Sequence, residues 1–94
     1  MLSKETFCKL AKDQRIRLYA PMSKLNNVFG ICYRSSSDKE KIVECTVEPY
    51  TIFKIEEGYK VTLKAVNEEY GSDNYYVSDL LSLIREGRIK AVIH

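Results

Sequence analysis

The sequence predicts an α+β domain: a small, curled antiparallel sheet or partly open barrel of about five strands, with a short helix near each end. Three observations lead to this reading. Apolar residues fall at helical spacing close to both ends of the chain. Between them lie short stretches in which apolar and polar side chains alternate, the period of a half-buried strand. These stretches are punctuated by glycine, serine, asparagine and aspartate rather than by long helical runs. With 94 residues, 45% hydrophobic and 30% charged, the chain has the composition of one folded domain spanning 1–94, not of a disordered segment.

Ser3 is placed to cap the first helix, with Leu2 before it and Phe7 at the fourth helical position, the arrangement of a hydrophobic staple. Phe7, Leu10 and Ala11 carry the helix to about Lys12. Arg15-Ile16-Arg17-Leu18-Tyr19 alternates as a strand or frays as a helix end, and Ala20-Pro21 stops either. Residues 23–27 read as a loop. Val28 to Arg34 is a strand with Phe29, Ile31 and Tyr33 on one face, Ser35-Ser36-Ser37-Asp38 has turn chemistry, and Ile42 to Glu48 is the return strand. A loop centred on Asp38-Lys39 puts Cys32 opposite Cys45 but separates the two apolar sets; a one-residue bulge aligns them instead, and both registers stay open.

Thr51 to Ile55 and Tyr59 to Ala65 form a second hairpin around Glu56-Glu57-Gly58. A three-residue loop pairs Ile55 with Tyr59, Phe53 with Val61 and Thr51 with Leu63, leaves Lys54 opposite Lys60, and gives Gly58 a left-handed backbone. A register opposing Phe53 to Thr62 and Ile55 to Lys60 is poorer. Asn67 to Asn74 is a polar loop containing Gly71, and Tyr75-Tyr76-Val77 is a short strand. Ser78 caps a second helix, Asp79 complements its dipole, Leu80, Leu81, Leu83 and Ile84 make its apolar face, and Gly87 ends it. Arg88 to Ile93 is the last strand.

No apolar run approaches the roughly 20 residues that span a bilayer, and the N-terminus lacks the apolar core of a signal peptide. A cytoplasmic protein without membrane contact is expected. The three cysteines, Cys8, Cys32 and Cys45, are odd in number and irregularly spaced, which points to reduced thiols packed as small hydrophobes. Zinc half-site spacing, a nucleophile elbow, a phosphate loop and an H-E-x-x-H helix are missing from the sequence, and the one histidine is His94, the last residue. The acids fall on the polar sides of strands, in turns and in loops rather than in buried pairs. The reading is therefore a protein that is not an enzyme and takes no metal or cofactor.

Net charge is +2, but it is unevenly spread. Residues 1–34 hold seven basic and two acidic side chains, residues 35–77 five and nine, residues 78–94 three and two. Seven tyrosines and no tryptophan accompany this pattern. Arg15, Arg17 and Arg34 near Tyr19 interleave cations with aromatics, as a base-stacking, phosphate-contacting surface would need. Tyr70, Tyr75 and Tyr76 surround a polar loop, and the adjacent pair must point to opposite faces of a strand, so at least one is exposed. Arg15, Arg17, Tyr19, Arg34, Tyr70, Tyr75 and Tyr76 are thus the candidate binding residues.

Three pieces, Ile31-Cys32-Tyr33-Arg34, then Val47-Glu48-Pro49-Tyr50 followed by Gly58 to Ala65, then Tyr76-Val77-Ser78-Asp79-Leu80-Leu81-Ser82-Leu83, together resemble the ligand-sensing WYL domain. Val61-Thr62-Leu63 stands where the family's naming tripeptide would be. Over residues 30–84 the resemblance implies an Sm-like or SH3-like barrel and transfers no ligand residue. The functional expectation is a stand-alone, non-enzymatic binding module of the accessory or mobile-element kind, acting on a larger protein partner. The alternative is a small nucleic-acid or nucleotide-binding regulatory domain using the basic N-terminal third. The protein partner is favoured because Glu44, Glu48, Glu56, Glu57, Glu68 and Glu69 should fold close to that basic third and repel phosphate.

Overall fold

A computed structural model describes residues 2–21, 41–56, 58–67 and 71–94, the side chain of Asp73 excepted. The elements in order are α1 (Lys4–Lys12), β1 (Ile16–Pro21), β2 (Ile42–Val47), a one-turn 3₁₀ helix (Pro49–Thr51), β3 (Phe53–Ile55), β4 (Gly58–Ala65), β5 (Ser72–Tyr76), α2 (Val77–Arg85) and β6 (Lys90–Ile93). All strand pairs are antiparallel. The class and the two helices are as the sequence predicts. Among the described residues no barrel is formed: their strands make an open sheet, running β5–β4–β2–β1–β6, with β3 on the same edge of β4 as β2.

Both helices lie on one face of this sheet and touch each other. Phe7, Cys8 and Ala11 of α1 and Val77 and Leu80 of α2 pack against Leu18, Cys45, Val61, Leu63 and their neighbours in a single core. Covering one face with helices buries the centre of that face, from Leu18 and Cys45 to Val61 and Leu63, without closing the sheet.

Local chemistry explains the ends of α1. Ser3 accepts a hydrogen bond from the Thr6 N–H at 3.1 Å, as a cap should. At its other end the Gln14 N–H bonds Ala11 O and the Arg15 N–H bonds Leu10 O, a Schellman closure with Gln14 at φ +55°. The helix α2 ends in the same way through Gly87 at φ +74°, whose N–H bonds Ile84 O while Arg88 bonds Leu83 O.

Its start differs from expectation. The strand ends at Tyr76 and the helix begins at Val77, so Ser78 lies in the first turn and no side chain caps the helix. Val77 is fully buried. Burying it stabilises by about 1.5–3 kcal/mol, more than the roughly 1 kcal/mol of a serine cap. The expected loop over Asn67 to Asn74 is also shorter, since Ser72 to Asn74 pair with Thr62 to Lys64.

Ile16, Leu18 and Ala20 alternate into the core, resolving residues 15–19 as strand. Both edges of β2 are filled, by β1 and by β4, so Cys45 sits between Leu18 and Ala65. This overturns the hairpin that would have set Cys32 opposite Cys45. The strand expected over Val28 to Arg34 and the loops on either side lie outside the described residues. Cys8 and Cys45 are free and buried.

The second hairpin is real, but its register is not the expected one. Ile55 pairs with Gly58, Lys54 with Tyr59 and Phe53 with Lys60. Gly58 has positive φ, +126°, as anticipated. Between the pairs Val47–Leu63 and Phe53–Lys60, the first strand carries Glu48 to Ile52 while β4 carries only Val61 and Thr62. The surplus is taken up by the 3₁₀ turn. Glu48 O turns into this 3₁₀ turn, and the Thr51 hydroxyl takes its place as the ladder acceptor, accepting from the Thr62 N–H at 3.0 Å and donating to Glu48 O at 2.6 Å. An odd surplus inverts the faces, which is why Phe53 leaves the core side that Val43, Cys45 and Val47 occupy.

A candidate binding face on the open side of the sheet

The face that no described helix covers is built by strand alternation and read by cross-strand register. One row runs Val92, Arg17, Thr46, Lys64, Ser72 across five strands. Another holds Lys90, Tyr19 and Glu44. Near the hairpin end comes Phe53, Lys60, Tyr76, with Thr62 beside Asn74 just behind it. This last row lies at the end of the sheet opposite Pro21 and Ile42.

Phe53 is 61% exposed and Tyr76 43%, large values for aromatic residues inside strands. Lys60 stands between them and holds its Nζ 5.8 Å from the centroid of the Tyr76 ring, a cation–π contact. Arg17, Lys60, Lys64 and Lys90 give the face four cations. Its acids among the described residues are Glu48, at the end of β2 in register with Thr62, and Glu44, which accepts from Arg17 at 2.6 Å and from Tyr19 at 3.0 Å. These bonds, Arg17 first and Tyr19 second, hold the Glu44 carboxyl below the usual carboxylate range, and the charges of Arg17 and His94 add to the effect. Donation to Glu44 in turn raises Tyr19 above the ordinary phenol value, so it stays a neutral donor. Arg17 and Glu44 thus satisfy one another, while Lys60, Lys64 and Lys90 have no acidic partner among the described residues.

The residues singled out from sequence are scattered by the fold. Arg17, Tyr19 and Tyr76 share the open face. Arg15 is tied to the chain end, its Nε donating to His94 O at 2.8 Å while its own carbonyl accepts from the His94 N–H. Tyr75 is half-buried among the core residues on the helix side, opposite to Tyr76, as two consecutive strand residues must be. Arg34 and Tyr70 lie outside the described residues. Of the acids expected to shield the basic third, Glu44 and Glu48 fall on the open face, Glu48 at its border where β2 gives way to the 3₁₀ turn; Glu56 sits in the hairpin turn, while Glu57, Glu68 and Glu69 lie outside the described residues.

Sequence reading missed Phe53, Lys60, Lys64 and Lys90 as site residues. The alternation of Lys60, Thr62 and Lys64 was visible, but the assumed register set Phe53 on the other face. A shallow depression of about 140 Å³ between Gln14, Arg17, Glu48 and Pro49 is too small and open to hold a cofactor. No cluster of metal-ligating side chains is found among the described residues, and no helix among them is long and apolar enough to cross a membrane.

Compared with family models, with curated proteins and with solved structures, the chain matches none.

Proposed function

We propose that this chain is a non-enzymatic binding module that docks a larger, anionic partner on the open face of its sheet. The observation that carries this reading is the Phe53–Lys60–Tyr76 row, two exposed aromatic rings flanking a lysine that is paired with no acid among the described residues. Exposed aromatics in a folded sheet contribute nothing to the core, yet supply the rigid contact area that binding surfaces favour. Lys64 and Lys90 on the same face extend the positive field beyond the row, and Glu44 is already paired with Arg17. The helix side, by contrast, mixes Lys4, Lys9 and Lys12 with Glu5 and Asp13, and Arg85 and Arg88 with Asp79 and Glu86.

The test is affinity capture of the tagged chain from lysate of its native cells, with and without nuclease. The parent is compared with the variant Phe53→Ala/Lys60→Gln/Lys64→Gln/Tyr76→Ala and with a helix-side control, Lys9→Gln/Lys12→Gln, each confirmed folded by thermal melting. Loss of the captured partner in the first variant and its retention in the control is the expected result. Equal capture by all three proteins would refute the open face as the docking surface.

A further inference from the structure

Resting on the open-face reading, we infer that the partner is single-stranded nucleic acid, its bases stacked on Phe53 and Tyr76 and its phosphates met by Lys60, Lys64 and Lys90. The geometry of the face supports a strand rather than a globular acidic surface. Phe53 and Tyr76 lie on β3 and β5, with one strand between them, so their side chains stand roughly 10 Å apart at the usual strand spacing. That separation leaves room for bases to lie against each ring. Lys60 rises between the rings, where a backbone linking two stacked bases must pass. Lys64 follows on the same face of β4, about 13 Å further along at strand rise. Cations and aromatics therefore alternate along a path, the pattern by which proteins hold unpaired strands without reading their sequence.

A duplex is a poor occupant of the same face. Its bases are already stacked on one another and present only edges and backbone, so the two rings would find no π-face to cover. An acidic protein would satisfy the lysines but would not need two separated, solvent-facing rings with a cation held between them. The sequence-level objection, that acids in the middle of the chain repel phosphate, loses force where it was meant to apply. Glu44 is neutralised by Arg17 at 2.6 Å, Glu56 lies on the hairpin turn, and Glu48, at the end of β2, lines the depression beside Arg17.

The experiment is fluorescence anisotropy on the intact chain, using labelled single-stranded DNA and RNA of mixed sequence and a DNA duplex of equal length, from low to physiological salt. Binding to a single strand should exceed binding to the duplex, and the DNA and RNA arms tell which strand chemistry is preferred. Phe53→Ala and Tyr76→Ala should each weaken single-strand affinity by about fivefold to a hundredfold, the range for losing one base–aromatic stack. Lys60→Gln/Lys64→Gln should reduce the slope of log affinity against log salt by about 1.4, two phosphate contacts at roughly 0.7 each. Lys9→Gln/Lys12→Gln, with the same loss of charge on the helix side, should leave both quantities near the parent. Duplex bound as tightly as single strand, or the helix-side control weakened as much as the open-face variants, would overturn the proposal. Absence of oligonucleotide binding, together with a nuclease-resistant protein still lost from the open-face variant in the capture assay, would refute the nucleic acid and leave the binding module standing. Failure of both assays would remove both.

Discussion

Replacing Thr51 with valine isolates the contact that joins β2 to β3. The hydroxyl of Thr51 donates to Glu48 O at 2.6 Å and accepts from the Thr62 N–H at 3.0 Å. Valine keeps the branched shape and removes both bonds. Glu48 O still accepts from the Thr51 N–H at 3.1 Å, so the carbonyl is not orphaned. The Thr62 N–H has no such substitute in a half-buried strand. The loss is therefore one net hydrogen bond, about 1 kcal/mol, plus up to about 1–2 kcal/mol for the stranded donor. For a domain of this size each kcal/mol moves the melting temperature by roughly 4–8 °C. Thermal unfolding followed by circular dichroism, checked by urea titration, reads the change directly. Thr51→Ser, which keeps the hydroxyl, should recover most of the loss. A valine variant within about 0.3 kcal/mol of the parent, or a serine variant as damaged as the valine one, would show that Thr51 does not hold the break.

The two Schellman closures make a matched pair, Gln14 and Gly87 in one geometry with different residues. A left-handed residue other than glycine costs about 1–2 kcal/mol, and glycine returns about 0.4–1 kcal/mol of that through its freer unfolded chain. Gln14→Gly should stabilise, and Gly87→Ala destabilise, each by about 0.5–1 kcal/mol in denaturant titrations, since a Cβ at Gly87 meets nothing within 4 Å; shifts of the same sign would contradict the shared geometry. Burial pushes the Cys45 thiol up to about 12, whereas an unfolded cysteine titrates near 8.5. A group raised by folding contributes stability that is complete below its unfolded pKa and is lost as pH climbs toward the folded value. The parent should thus lose about 2 kcal/mol between neutral pH and pH 10 that Cys45→Ala does not lose, measured as the difference between their urea stabilities; parallel pH curves would refute the buried-thiol assignment.

How far the sequence reaches depends on whether a feature is decided within one turn of chain. Ser3, Phe7 and Ala11 specify α1, including its cap, because each interaction closes within four residues. Gly58 and Gly87 were recognisable for the same reason: a positive φ is a property of one residue and its immediate neighbours. The alternation Val61-Leu63-Ala65 announces a half-buried strand and buries those side chains, whereas residues 15–19, readable as strand or helix end, are settled as strand by their pairing, which extends through Ala20. That Tyr75 and Tyr76 face opposite ways, and that Arg17 and Tyr19 share a face, follow from that period; which tyrosine turns inward is decided by the pairing with β4.

What the tertiary structure decided is which strands meet and which face each residue shares with others. Cys45 lies between Leu18 and Ala65 because β1 and β4 arrive from distant parts of the chain, and no local pattern in residues 28–48 could report them. Val77 joined α2 rather than β5 because the core accepted its side chain, a gain larger than the cap it displaced. That two helices cover one face of an open sheet is a packing choice made by the whole domain. The candidate face is the clearest case. Lys60 and Lys64 alternate visibly in sequence, but Phe53 joins them only because the surplus residues around Pro49 shift the register of β3 by an odd number, and in a sheet of period two an odd shift moves a side chain to the opposite face.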